Sequence, residues 1–248
     1  MNLEGKHKRP EHYLPGKPLI VSFSGIDGAG KTTQIDLLAK WLEKAGFRVR
    51  LIRFWDDVAS LRRWREIIGH ALFKGDHGVG TPEKPVARRD KNVKAWYMPI
   101  LRLALCSLDA IRLRTLLGGL AQQENDVVIF DRYIYDQIAN LDLRSQGLRR
   151  VIVALLGFVP PPDVAYLLDA DPVLACSRKP EYPLEFLRLN RESYLALSAM
   201  TGMHIVPGNS SAEIAATVKG ILVSSTTNIS MVEPVISSIN ISEAINRR

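Results

Sequence analysis

The sequence predicts an α/β fold, a five-stranded parallel sheet with helices on both faces. Two observations predict it. Short, wholly apolar runs recur along the chain with helical segments between them, the rhythm of strands buried on both faces and joined by crossover helices. A glycine-rich stretch, "FSGIDGAGKTTQ" (residues 23–34), lies between the first such run and the first amphipathic segment. The 248 residues are 46% hydrophobic and 24% charged, enough to bury one sizeable core, so one domain is the expected count.

The elements follow in order. "PLIVSF" (18–23) is apolar and β-branched, the pattern of a buried strand. "TQIDLLAKWLEKAG" places Ile35, Leu38, Leu42 and Ala45 at helical spacing and stops at Gly46. "RVRLIRFW" (48–55) is a second strand. "SLRRWREIIGHALF" is a helix with a basic face, followed by "KGDHGVGTPEKPVARRD", whose glycines and prolines predict a loop. A long helix spans about 92–120, and residues 127–130 form a third strand ending at Asp131. Helical material over about 134–157 leads to a fourth strand in "PPPDVAYLLDAD". Two helices with a short basic interruption, a fifth strand in "MHIVPG" and a helix in "SAEIAATVKGILVSS" complete the alternation. The folded unit is therefore 18–224, with a basic N-terminal extension at 1–17 and a tail at 225–248 that reads as disordered.

Charge and cysteine usage narrow the class. The formal net charge of +7 suggests anionic partners. Its excess lies on helix faces and in loops without aromatic interleaving, which argues against a nucleic-acid stripe. Cys106 and Cys176 are far apart and lie inside apolar segments, neither a disulfide framework nor a zinc spacing. They fit a reducing cytoplasm. The N-terminal segment lacks an apolar stretch of signal-peptide length, and the most apolar long stretch carries Arg102, Asp109, Arg112 and Arg114, so no membrane association is expected.

The glycine stretch carries the chemistry. Gly25-x-x-x-x-Gly30-Lys31-Thr32 is a complete phosphate-binding loop in its strand-loop-helix context. Its glycines let successive N–H groups turn toward a polyphosphate, and the following helix adds its unpaired N–H groups and dipole. Gly25, Asp27, Gly28, Ala29, Gly30, Lys31, Thr32 and Thr33 are the expected nucleotide contacts. Lys31 serves the β- and γ-phosphates, and the Thr32 hydroxyl is placed for Mg²⁺. GTPases, motor ATPases and small-molecule kinases share such a loop. A guanine-reading Asn-Lys-x-Asp is missing after the later strands, which disfavours a GTPase. Asp131-Arg132-Tyr133 stands at a strand's C-terminal end, where an aspartate can hold Mg²⁺ and an arginine can fork onto a second phosphate.

"FSGIDGAGKTTQIDLLAKWLEKAGFRV", "VVIFDRYIYD", "PDVAYLLDADPVLACSRK" and "EFLRLNRESYLAL" together resemble the thymidylate kinases in order and spacing, over about residues 18–223. The resemblance implies ATP-dependent phosphoryl transfer to a nucleoside monophosphate, with Mg²⁺, in a cytoplasmic homodimer. By position it assigns Asp27 to the acceptor sugar hydroxyl, Arg132 to the acceptor phosphate and Asp131 to the metal or its waters. Where some members carry a loop arginine this chain has Gly28, so the lid "SRKPEY" would supply the cations, Arg178 and Lys179. Arg53 and Arg112 are the expected acceptor-side cations. Departures fall on that side: Trp55-Asp56-Asp57 after the second strand, Asp109-Ala110 in the long helix, "IYDQIANLD" after Arg132, and a short lid. The sequence thus points to thymidylate phosphorylation, with two other readings open. One is a related kinase acting on a nucleoside or phosphorylated sugar, and the other a nucleotide-binding regulatory or scaffold protein without turnover.

Overall fold

In a computed structural model of the chain, residues 17–59, 98–120, 123, 125–141, 146–207 and 210–227 are described. The expected basic helix and loop between the second strand and the long helix lie outside them. So do residues 1–16 of the N-terminal extension, residues 92–97 of the long helix and the tail from 228.

Five strands form one parallel sheet in the order β2-β3-β1-β4-β5: β1 (Leu19–Ser24), β2 (Val49–Arg53), β3 (Val127–Asp131), β4 (Val164–Asp169) and β5 (His204–Pro207). The apolar runs explain the arrangement: β3 is buried along Val127 to Phe130 and β4 along Val164 to Leu168, as strands covered on both faces require. Phe23 packs on Tyr166 across the β1–β4 pair with ring centroids 4.9 Å apart.

The helices cover this sheet. In α1 (Lys31–Lys44), Ile35, Leu38 and Leu42 are buried as their spacing predicts, and the chain leaves through Gly46 at φ 90°. Helix α2 (Met98–Leu120) buries Cys106, Ala110 and Leu113 on one side. The helical material after β3 comprises α3 (Ile134–Ile138) and α4 (Gln146–Phe158). Beyond β4 come α5 (Pro172–Arg178) and α6 (Leu184–Thr201), then α7 (Ser211–Thr227) after β5. Helix α7 continues through 225–227, residues the sequence reading had given to the tail.

The second strand ends earlier than expected, at Arg53 instead of Trp55. Phe54–Val58 coil into a π-helical turn, because the Asp57 carboxylate accepts the Arg53 N–H at 2.8 Å and the Ala59 N–H reaches back to Phe54 O at 2.7 Å. Phe54 and Val58 are fully buried, so core packing outweighs the extended preference of "FW".

With β1 flanked by β3 and β4, the chain leaves it in one direction for β2 and later crosses to the other side for β4. Such a reversal opens a crevice at the carboxyl ends of the strands. The glycine loop leaves β1 there, and Asp131 ends β3 beside Phe23.

Candidate active site

The loop is shaped by two close approaches. Gly25 has φ 142°, and a Cβ on it would lie 2.6 Å from the Leu168 carbonyl oxygen of β4. Gly28 has φ 86°, and a Cβ there would collide with the Ala175 backbone carbonyl of α5. The loop residue is therefore glycine for lack of space as well as for its backbone angle. Gly30, at φ 86°, caps α1 with no side-chain hydrogen bond, which leaves the first-turn N–H groups for a ligand.

Lys31 lies buried across this loop, its Nζ donating to Gly25 O and Ile26 O at 2.8 Å each. Burial, followed by the nearby Arg132 charge, pulls its pKa down to about 7, against the pull of Asp27, Asp136 and Asp131. Thr32 and Thr33 are exposed at the start of α1.

Beside the loop stands Arg132, whose backbone at φ 72° is in the left-handed region, uncommon for a side chain of this kind. Its N–H donates to Phe23 O at 3.0 Å, continuing the sheet pairing one residue past β3. That turn aims the guanidinium back over the strand ends. Nη2 forms an ion pair with Asp27 of the loop, and Nη1 donates to Asp136 Oδ1 at 3.2 Å. Burial works against the Arg132 charge, but Asp136 and Asp27 more than offset it and raise the pKa above the ordinary arginine value. Burial also raises Asp131, with Arg132 and Lys31 pulling the other way.

Asp136 is fully buried and takes four donors. Ser24 Oγ and the Tyr133 N–H give to Oδ2 at 2.7 and 3.1 Å. Tyr194 Oη gives to Oδ1 at 2.7 Å, alongside Arg132. Burial and the Asp136 charge hold the Tyr194 hydroxyl well above its ordinary pKa, so it stays a donor.

The remaining expected residues are spread more widely. Arg53 is exposed, opposite Asp131 in the β2–β3 register, and its charge helps lower Asp131. Arg112 is exposed on α2, with Nη1 3.4 Å from Ala59 O at the end of the π-helical turn. Asp109, one turn away, is buried and accepts from Gln137 Nε2 at 2.8 Å. On α5, Arg178 is exposed one turn beyond Ala175, the residue that presses on Gly28. Lys179 follows the helix and pairs with Glu181 at 3.1 Å.

The structure thus gathers Lys31, Asp27, Asp131 and Arg132, and leaves Arg178 and Lys179 at the rim with Arg53 and Arg112 toward the β2 side. Sequence reasoning missed Asp136, Ser24 and Tyr194. The available signal was an acidic residue within the apolar run "YIYDQI", which a solvated helix face does not explain.

The donor set also bears on a metal. Thr32 offers a hydroxyl and Asp131 a carboxylate, both hard oxygen donors. Among the described residues no group of three His, Cys, Asp or Glu side chains encloses a metal position. One carboxylate plus substrate phosphates is the arrangement in which Mg²⁺ is commonly bound, so the residues fit that ion.

Known proteins resemble this chain over most of its length. No protein-family model matches the chain. A probable thymidylate kinase of Pyrococcus abyssi is 31% identical over 206 residues, 78% of this chain and 89% of that protein. A probable thymidylate kinase of Thermococcus gammatolerans is 33% identical over 191 residues, 73% of this chain and 84% of that protein. Among solved structures, thymidylate kinase from Ehrlichia chaffeensis superposes with a TM-score of 0.52 at 20% identity, over 83% of this chain and 98% of that one, a likeness of fold. With a phosphate loop intact, an Asp-Arg pair at the end of β3 and relatives matched over most of their length, the chain belongs to the thymidylate kinase family of nucleoside monophosphate kinases.

Proposed function

We propose that this chain transfers the γ-phosphoryl group of ATP to thymidylate. The observation that carries the proposal is the Asp27–Arg132 ion pair, which joins the phosphate loop to the end of β3. A group that binds one phosphate on the loop side and a second at Arg132 holds donor and acceptor within one crevice. The names of the relatives supply thymidylate as the acceptor.

The chemistry forms a bond from an acceptor phosphate oxygen to the γ-phosphorus and breaks the bond to the β,γ-bridging oxygen, releasing ADP. There is little covalent work for the protein, so alignment and charge stabilisation dominate. The loop N–H groups and the first turn of α1 cradle the β- and γ-phosphates. Lys31 exchanges its two carbonyl acceptors for phosphate oxygens and carries the ammonium that favours developing charge. Arg132 holds the acceptor phosphate in line, Asp27 accepts from the acceptor's sugar hydroxyl, and Arg53 and Arg112 add positive field on the acceptor side. Arg178, with Lys179 beside it, approaches the transferring group from α5. Thr32 and Asp131 would hold Mg²⁺, which would supply positive charge to offset the negative charge developing on the phosphates.

We further propose a homodimer in the cytoplasm. Ile100, Leu108 and Ile111 of α2, with Val151 and Val153 of α4, leave apolar side chains exposed on neighbouring helices and support self-association. Cys106 and Cys176 are not joined in a disulfide, which supports a reducing compartment. No helix among the described residues is long and apolar enough to cross a membrane. Light scattering at micromolar concentration tests the dimer, which a monomer mass would exclude.

The acceptor is tested by titrating thymidylate into protein saturated with a non-hydrolysable ATP analogue, alongside an ATP-consumption assay. Saturable binding and formation of thymidine diphosphate are expected. No binding at millimolar thymidylate would remove thymidylate as the acceptor.

A further inference from the structure

Two carboxylates flank the Arg132 guanidinium, and they differ in kind. Asp27 belongs to the loop, and its side chain keeps 11% of its exposure. Asp136 keeps none. An ionised carboxylate has about four acceptor positions. At Asp136 Ser24, Tyr133, Tyr194 and Arg132 occupy four. These donors come from β1, the turn after β3 and α6, so the carboxylate is fixed from three directions.

Arg132 has two phosphates it could serve. Its ion pair with Asp27 sets the guanidinium against the phosphate loop, so without a restraint it could swing onto the donor triphosphate. We infer that Asp136 is a positioning residue that determines which phosphate Arg132 binds. It holds Nη1, and the Nη2 edge now paired with Asp27 is the one that passes to the phosphate monoester of the acceptor. Asp27 is released by the same exchange to meet the acceptor's hydroxyl. Ser24 immediately precedes Gly25, so this carboxylate also ties the acceptor arginine to the strand that launches the donor loop. The inference rests on the assignment of Arg132 to the acceptor phosphate made above.

The test compares Asp136→Asn, Tyr194→Phe, Arg132→Ala and the Asp136→Asn/Arg132→Ala double variant of the full chain, with the thymidylate KM read in turnover with ATP and donor affinity read with a non-hydrolysable ATP analogue. Loss of a charge-assisted hydrogen bond predicts about a 10-fold or greater rise in thymidylate KM for Asp136→Asn. Affinity for the ATP analogue should stay within about twofold. Tyr194→Phe keeps the carboxylate and covers the case in which the asparagine variant fails to fold; about a threefold rise in thymidylate KM is expected. In the Arg132→Ala background, Asp136→Asn should add almost nothing to the loss of thymidylate affinity, since its effect runs through the guanidinium.

An unchanged thymidylate KM in both Asp136→Asn and Tyr194→Phe overturns the inference. So does an equal loss for both ligands, or full additivity in the double variant. If Arg132→Ala raises the thymidylate KM and Asp136→Asn does not, the inference alone falls. If Arg132→Ala has no effect on it, the assignment of Arg132 falls as well.

Discussion

The donor and acceptor halves proposed for this site meet at Arg132 but are built by different means. The donor half is made of backbone: Gly25 and Gly28 turn the loop, Gly30 opens α1, and Lys31 is the single long side chain it needs. The acceptor half is made of side chains held by other side chains, with Arg132, Asp136, Ser24 and Tyr194 arriving from separate parts of the chain. A backbone-built half depends on residue types at fixed spacing within ten residues. A side-chain-built half depends on tertiary packing, and its residue types can change together while its geometry persists.

The largest expected effect breaks the donor half alone. Lys31→Ala should lower turnover by about 100-fold or more, because a buried cation at developing phosphate charge is worth several kcal/mol. The check is kcat on a variant shown to be folded by circular dichroism. Turnover within about threefold of wild type would separate the loop from the chemistry.

The next effect breaks the acceptor half and leaves the donor half standing. Arg132→Ala should raise the thymidylate KM by about 10- to 100-fold, the range for a charge-assisted phosphate contact, with little change for ATP. Steady-state kinetics with each substrate varied in turn measures this. A parallel rise for ATP would mean that the two halves are not separate. Stability should fall too, since Asp136 would be left buried without its cation, at about 3–5 kcal/mol.

The boundary between the halves is sharpened by Arg178→Ala. As a cation reaching the transferring group from α5, Arg178 should matter in the transition state and little in the ground state. We expect kcat to fall about 10-fold with binding of the ATP analogue nearly unchanged. Equal losses in both would reduce Arg178 to an exposed helix end.

The smallest effect is a proton. In the free protein the Lys31 pKa is about 7, against 10.5 for an ordinary lysine. Between these values the folded free protein holds the amine largely neutral while the unfolded chain holds it protonated. The unfolded state therefore binds more protons, and this group's contribution to stability rises with pH across that window. Bound ATP restores the ammonium, so binding near pH 8 should take up close to one proton, and near pH 6 almost none. Calorimetry in two buffers of different ionisation enthalpy reads this uptake, and Lys31→Ala should abolish it. Heats independent of the buffer at pH 8 would show that Lys31 is already charged in the free protein.

The same contrast explains what was legible in the sequence. The five strands, α1 and the loop follow from local pattern: "PLIVSF", the glycine spacing and the Ile35-Leu38-Leu42 stripe each carry their own signal. Arg132 was legible because it stands at a strand end beside Asp131. Asp136 was not, because nothing local says that its partners come from Ser24, 112 positions earlier, and Tyr194, 58 positions later. The end of β2 was misplaced for a related reason. "FW" favours a strand, but the Asp57 carboxylate on the Arg53 N–H and the burial of Phe54 and Val58 coil the chain there.

The collision space at Gly28 has a mechanical consequence. Helix α5 is about 10 Å long by its seven residues. Its first turn is pinned by Asp171 Oδ1, which accepts from the Val173 and Leu174 N–H groups at 2.7 and 3.1 Å. Arg178 is at the other end, and the Ala175 carbonyl rests on Gly28 between them. The position of this helix against the loop, and with it the place of Arg178, is therefore set at two points, Asp171 and Gly28. Adding a single methyl at Gly28 would both strain the loop backbone at φ 86° and push on the Ala175 carbonyl, so Gly28→Ala should weaken ATP binding and disturb Arg178 together.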